Sequence, residues 1–143
     1  LMSDGNDQGY LSVSDENGAA LFARNISGEV VMLNLLRFRE VADYSDHPDL
    51  APDEPISGRA AYAKYARHTL PLLAAAGGSL LYSGNGGNFL IGPAGKGWDQ
   101  VLLVRHKSIR AFMSFASDKN YAAGAGHRTA ALQDSRLLPL VDT

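Results

Sequence analysis

Two short segments of this chain are apolar at consecutive positions, and they constrain the fold more than any other feature of the sequence. Residues 30–36 read Val-Val-Met-Leu-Asn-Leu-Leu, and residues 101–104 read Val-Leu-Leu-Val. A strand with one face in water alternates apolar and polar side chains, whereas a strand covered on both faces does not. Helices of the same chain can cover one face of the sheet. We therefore predict that a second copy of the chain covers the other face.

The composition narrows the class of protein. A chain of 143 residues is long enough for one domain with a hydrophobic core. Its net charge of −2 gives no electrostatic reason to expect nucleic acid or an anionic membrane as a partner. The absence of cysteine excludes disulfides and thiolate chemistry. Because no apolar run approaches the roughly 20 residues of a membrane span, and because the N-terminal residues lack an apolar signal segment, we expect a cytoplasmic protein.

Charge is distributed unevenly along the chain. Residues 1–57 carry a net charge of −8, and residues 58–143 carry +6. This asymmetry fits either charge complementarity within the fold or dimer, or a basic pocket for an anionic ligand. Residues 40–57, the acidic loop, contain three prolines and no lysine or arginine. A loop of this length commonly covers a site or a sheet edge. We therefore expect it to lie across basic residues of 58–143, in its own or the partner chain, and to cover a sheet edge or the mouth of the cavity.

Apolar periodicity and helix-capping residues predict the order of elements. Residues 1–28 are expected to form an N-terminal tail, disordered over 1–9 and with a short helix near 15–24, and residues 29–143 the folded domain. Helices should begin after Ser57, Ser108 and Asp118, and Pro71 should kink or break the first of these near 67–70. Strands are predicted at about 30–38, 79–83, 88–92, 98–106 and 135–141, with a glycine-rich turn at 84–87.

Apart from the short strand at 88–92, this order is β-α-β-β-α-β. It is the ferredoxin-like pattern of the α+β class, in which a four-stranded antiparallel sheet carries its helices on one face. The opposite face of such a sheet is open. The two doubly apolar strands require that this face also be covered.

Four segments resemble a known family in sequence and in order. They are Val31–Phe38, Ile56–Tyr62, Trp98–Arg105 and His127–Leu137. They are similar to the bacterial domain-of-unknown-function family 1330, which belongs to the dimeric α/β-barrel superfamily. The resemblance implies a homodimer whose sheets pack face to face as an α/β barrel. It implies no particular activity, because relatives in the superfamily include cofactor-free monooxygenases, lactone isomerases, haem-handling enzymes and stress proteins. His106 departs from the family, which commonly has tyrosine there.

The most informative polar residues are His127 and Arg128, which adjoin on the last predicted helix. A histidine beside an arginine can act as an acid or base on an anionic or carbonyl substrate, with the arginine as an anion clamp. The structural alternative is that both residues bind Asp134 or a neighbouring chain.

Three further residues are candidates for binding a ligand. Asn34 is the only polar side chain within an apolar strand, so its amide must bond either a backbone group or a ligand. Tyr62 and Trp98 are expected to form apolar walls between the sheet and a helix, although aromatic residues on such a stripe are more often part of a core.

These features lead to two hypotheses of different classes. The first is a small-molecule-binding protein or cofactor-independent enzyme that acts on a small anionic or carbonyl-bearing metabolite in a cavity between sheet and helices. The second is a non-catalytic dimeric module whose polar residues are all structural. We expect no metal site, because the four histidines lack metal-ligand spacing. Haem is a weaker third hypothesis, because no histidine here has a haem-binding signature; otherwise we expect no cofactor.

Overall fold

The computed structural model of the protein describes residues 9–143, so the expectation of disorder over residues 1–8 lies outside the described residues. The elements are α1 (Asp15–Ala23), β1 (Val30–Phe38), α2 (Gly58–Ala75), β2 (Ser79–Asn88), β3 (Gly97–His106), α3 (Ile109–Ser117), α4 (Lys119–Ala131) and β4 (Leu132–Leu140). Within this described part, no helix is long and apolar enough to cross a membrane.

The four strands form one sheet in the order β2-β3-β1-β4, and every neighbouring pair is antiparallel. This topology confirms the predicted ferredoxin-like α+β fold. Val30, Met32 and Leu36 on β1 are almost fully buried, which identifies the face that the helices cover. Side chains alternate along a strand, so Asn34 shares this face, whereas Val31, Leu33 and Leu35 point to the opposite face, here called the open face.

Local hydrogen bonds explain where the helices begin. The side chains of Ser57, Ser108 and Asp118 each accept a hydrogen bond from a backbone amide in the first turn, at 3.0, 3.0 and 2.7 Å respectively. These bonds satisfy amides that have no partner within the helix. Gly77, with a φ of +82°, adopts the left-handed conformation just after α2. All three predicted caps are confirmed.

The break expected before Pro71 does not occur, because α2 is one continuous helix from Gly58 to Ala75. Proline removes one backbone hydrogen bond from a helix and crowds the preceding turn. Thr69 and Leu73, two positions before and two positions after the proline, are both buried. The helix packs mainly against α4. Tertiary packing therefore outweighs the local preference to end the helix.

The prediction of two short strands around a turn at 84–87 was also wrong. β2 runs without interruption to Asn88, which pairs with Gly97 of β3. A Cβ atom on Gly97 would collide with the carbonyl oxygen of Gly87. Glycines at these positions therefore allow two strands to approach closely and do not form a turn. The connecting loop is residues 89–96.

The segment before α1 is attached to the domain along the free edge of β4. The amide of Tyr10 donates to Asp134 Oδ1 at 2.8 Å, and the Ser135 hydroxyl donates to the Tyr10 carbonyl at 2.5 Å. These two bonds fix the chain at the edge strand, where backbone and side-chain groups would otherwise face water.

The hydrophobic core lies at one end of the space between sheet and helices. Its buried members are Leu36, Tyr44, Ala61, Tyr62, Ala130, Ala131 and Leu132. α2 contacts α4 extensively but has few contacts with β2. The helix layer therefore leaves the rest of this space unfilled.

Candidate functional site

The unfilled space is part of a cavity of about 1220 Å³ that opens to solvent. Between the sheet and the helices, Met32, Leu102 and Val104 contribute an aliphatic floor, and α2, α3 and α4 supply the opposite wall. The cavity is also lined by residues 10–13, by α1 and by the open-face side chains Leu33, Leu35 and Leu138. Ligand pockets usually measure about 300–1000 Å³, so this cavity could accept a small molecule.

Five rings form a continuous row along the cavity, here called the aromatic wall: Tyr62, Tyr65, Tyr121, Phe115 and His106. Successive ring centroids in this order are 5.2, 6.0, 5.0 and 5.6 Å apart. These spacings are within the range of favourable aromatic contacts. Two rings come from α2 and one each from α4, α3 and β3, so only the tertiary fold brings them together.

Two tyrosines of the aromatic wall, Tyr62 and Tyr65, are neutral at physiological pH. Burial raises the pKa of Tyr62 to about 12 and also raises the pKa of Tyr65. The hydroxyls of Tyr65 and Tyr121 are hydrogen-bonded at 3.0 Å. The wall therefore offers apolar ring surface and neutral hydroxyl groups to a ligand.

Arg128 is half-buried at the edge of this cavity. Its guanidinium donates to the Leu11 carbonyl at 2.9 Å and to the Ser135 hydroxyl at 3.4 Å, and both acceptors are uncharged. Within residues 9–143 no carboxylate lies within ion-pair distance of it. No aspartate or glutamate lines the cavity among these residues. Arg128 is therefore a partly desolvated cation without a charged partner in the described chain.

Asn34 also lines the cavity, from the centre of the sheet. Its Nδ2 donates to the nearby Met32 carbonyl at 3.2 Å. Its side-chain oxygen has no hydrogen-bond partner among the described residues. The structure thus brings three of the predicted residues, Asn34, Tyr62 and Arg128, to one cavity.

His127 does not line this cavity. Its Nδ1 is 2.7 Å from the hydroxyl of Tyr44 in the acidic loop. Burial lowers the pKa of His127, and the positive charges of Lys64, His68 and Arg67 lower it further. The imidazole is therefore neutral at physiological pH and is held at the contact between loop and helix.

Trp98 is likewise separate from the cavity. The guanidinium of Arg37 lies 4.4 Å from its ring centroid and that of Arg136 lies 5.1 Å away. Both arginines occupy open-face positions of their strands, as the sheet register shows. Trp98 therefore packs against the guanidinium groups of Arg37 and Arg136.

The acidic loop contacts α4, within residues 58–143 as predicted, but it forms no ion pair with a lysine or arginine of the described chain. The amide of Asp43 donates to the Ala130 carbonyl at 2.9 Å, in addition to the bond between Tyr44 and His127. None of the loop residues lines the cavity.

Three members of the aromatic wall had no signal in the sequence. Phe115 lies on the helix predicted to begin after Ser108, but no local pattern joins it to Tyr121 or His106. Burial lowers the pKa of His106, so its ring is neutral, and it makes no hydrogen bond with another described residue. Thr69 also lines the cavity, and its buried hydroxyl has no hydrogen-bond partner within residues 9–143. In the described chain, no group of three or more histidine or acidic residues could hold a metal ion.

Several solved structures resemble this chain, and they differ in how similar their sequences are to it. Methylated RPA0582 is 33% identical, with 95% of this chain and 96% of that chain covered and a TM-score of 0.83. RPA0582 from Rhodopseudomonas palustris, a protein of unknown function, is 33% identical over 94% and 98% of the two chains, with a TM-score of 0.82. A dimeric ferredoxin-like protein of unknown function from Bacteroides fragilis is 13% identical over 78% and 94%, with a TM-score of 0.48.

The similarity to RPA0582 extends over nearly the whole of both chains, at an identity that indicates common descent. No protein-family model matches the chain, and no curated protein matches it. The chain belongs to the same protein family as RPA0582.

Proposed function

We propose that this protein binds a small anionic molecule in the cavity between its sheet and its helices. The observation that carries the proposal is the half-buried guanidinium of Arg128, which borders the cavity and bonds only uncharged acceptors. A partly desolvated charge without a counter-charge is costly, and an anionic ligand would reduce that cost.

The guanidinium has donors to spare for such a ligand. Arginine carries five N–H donors, and its fork suits a carboxylate that accepts two parallel bonds. Two neutral groups, the Asn34 side-chain oxygen and the Tyr62 hydroxyl, border the same space. They can orient a ligand through hydrogen bonds without adding charge.

Catalysis at this site stays a hypothesis. A role for His127 as acid or base would require a substrate that reaches the contact between loop and helix, because His127 does not border the cavity. The competing hypothesis is a non-catalytic module without a ligand, and it predicts no saturable binding at all.

The test uses two carboxylates of the same skeleton, 2-naphthoate and decahydro-2-naphthoate, titrated calorimetrically into the protein. We expect at least one of them to bind with one site per chain. Arg128→Gln should weaken that binding by about tenfold or more, which corresponds to about 1.4 kcal/mol. Arg128→Lys retains the charge and should restore part of the affinity.

Arg110→Gln is the matched control, since Arg110 is an exposed residue of α3 that does not line the cavity. It should leave binding unchanged. The proposal fails if neither carboxylate binds saturably, or if the two glutamine variants lose affinity equally.

We also propose that the protein is a homodimer in which the open faces of two sheets pack together. The support is a set of apolar side chains on that face, none of them buried in the single chain: Val31, Leu33, Leu35, Val101, Leu103 and Leu138. Contiguous apolar surface of this kind commonly marks an interface. The four-segment resemblance to family 1330 agrees with this assembly, and membership of that family is part of the same proposal.

A further inference from the structure

We propose that the ligand of the cavity is a planar aromatic carboxylate. This inference rests on the proposed function and extends it to the chemical class of the ligand. It is drawn from the aromatic wall together with the position of Arg128.

The aromatic wall presents its rings at steep angles to one another. The interplanar angles are 47° between Tyr62 and Tyr65, 85° between Tyr65 and Tyr121, and 54° between Tyr121 and Phe115. Such a row exposes ring edges as well as faces. The edge of an aromatic ring is electropositive and its face electronegative, so a flat π-system gains contacts here that a saturated molecule cannot make.

The opposite side of the cavity is aliphatic. Met32, Leu102 and Val104 project from β1 and β3 towards the helices. A thin, flat molecule would therefore bury one face against the aliphatic floor and the other against the aromatic wall. Burial of both faces removes apolar surface from water, and this free energy adds to that of the aromatic contacts.

Arg128 lines the same cavity as Tyr62 and Tyr65 of the aromatic wall. Its positive charge acts on the hydroxyls of both Tyr62 and Tyr65, lowering their pKa values against the larger effect of burial. A carboxylate paired with Arg128 would therefore place the attached rings beside these tyrosines. Since no acidic side chain lines the cavity among the described residues, a cationic molecule would find no counter-charge there.

The decisive comparison is between 2-naphthoate and decahydro-2-naphthoate, by calorimetric titration at pH 7. The two acids share a carbon skeleton and a charge, and the saturated one is at least as hydrophobic. Burial of apolar surface alone would thus favour the saturated acid or neither. We expect 2-naphthoate to bind at least tenfold more tightly. The uncharged 2-naphthol should bind at least tenfold more weakly than 2-naphthoate.

Substitutions in the aromatic wall test whether the rings cause this preference. Tyr65→Leu and Phe115→Leu should each reduce the preference for the planar acid to within about threefold. Phe22→Leu is the control, because Phe22 of α1 is 62% exposed and does not line the cavity. Phe115 is only half-buried, so its variant remains informative if Tyr65→Leu does not fold.

The outcomes separate the two proposals. If the saturated acid binds as tightly as 2-naphthoate, the aromatic ligand class is wrong while binding of an anion stands. If the wall variants retain the full preference, the rings do not cause it and the inference is again overturned. If neither acid binds, the proposed function fails and this inference fails with it.

Discussion

The hydroxyl of Tyr44 lies 2.7 Å from Nδ1 of His127, and this hydrogen bond attaches the acidic loop to α4. The two rings also meet edge to face, with centroids 5.6 Å apart. Tyr44 is itself a member of the hydrophobic core. The contact therefore joins a loop, a helix and the core, and it gives His127 a structural partner outside the cavity.

Tyr44→Phe should remove this hydrogen bond while keeping the ring in the core. We expect the free energy of unfolding to fall by about 0.5–1.5 kcal/mol, measured by urea denaturation. Binding of 2-naphthoate should stay within twofold of the original value. Phe22→Tyr, which adds a hydroxyl at an exposed position of α1, should change neither quantity. Loss of binding in Tyr44→Phe would instead connect His127 to the ligand.

Asp134 connects three parts of the fold through one buried carboxylate. It accepts hydrogen bonds from the Tyr10 amide at 2.8 Å, from Arg136 at 2.6 Å and from Arg37 at 3.2 Å. Burial alone would raise its pKa, but the hydrogen bonds from Tyr10, Arg136 and Ser135 outweigh that effect and lower the pKa below 3.8.

Asp134→Asn should therefore destabilise the protein by about 1–3 kcal/mol at neutral pH, because it leaves buried donors without an acceptor. A lowered pKa means that the carboxylate stabilises the fold fully above its unfolded value of 3.8. This contribution is lost as the pH falls through the folded value. Denaturation between pH 5 and 2 should accordingly show a shallower loss of stability in Asp134→Asn. Asp142→Asn, at an exposed site, should retain the original pH profile.

Leu138→Asp tests the dimer. Leu138 pairs with Leu33 across the open face and is 52% exposed in the single chain, so the change should be tolerated within one protomer. In a face-to-face dimer the aspartate would be buried without a partner, at a cost of several kcal/mol. We expect sedimentation velocity to show a dimer for the original chain and a monomer for Leu138→Asp.

Leu90→Asp provides the comparison for this experiment, because Leu90 is fully exposed in the loop between β2 and β3. That variant should remain dimeric. A monomeric original chain at micromolar concentration would contradict the proposed assembly.

Gly124→Ala tests the packing of α2 against α4. A Cβ atom at position 124 would overlap the ring of His68, which also bonds the Asn120 carbonyl at 2.6 Å. We expect a loss of about 1–3 kcal/mol in the free energy of unfolding. In Gly18→Ala, in α1, the new Cβ atom would contact only the Val13 side chain, at a normal van der Waals distance of 3.6 Å. That change should stabilise the protein by about 0.5–1 kcal/mol, because alanine favours a helix over glycine. Thermal denaturation of the two variants compares them directly.

Local chemistry explains the parts of the fold that could be predicted. Ser57, Ser108 and Asp118 begin helices because each side chain bonds an amide only two or three residues away. The apolar runs at 30–36 and 101–104 form the two central strands for a similar reason, since their pattern requires cover on both sides. Where local and tertiary preferences disagreed, as at Pro71 and along β2, the prediction was wrong.

Local sequence patterns account for the order of helices and strands, the two apolar faces of the sheet and the position of Arg128 near the end of the last helix. Tertiary packing sets which side chains reach the cavity. Arg128 borders it and the neighbouring His127 does not, because adjacent residues of a helix point about 100° apart. The aromatic wall also depends on tertiary packing. Its five rings come from three helices and a strand, and a contact between distant segments depends on packing that no local pattern encodes.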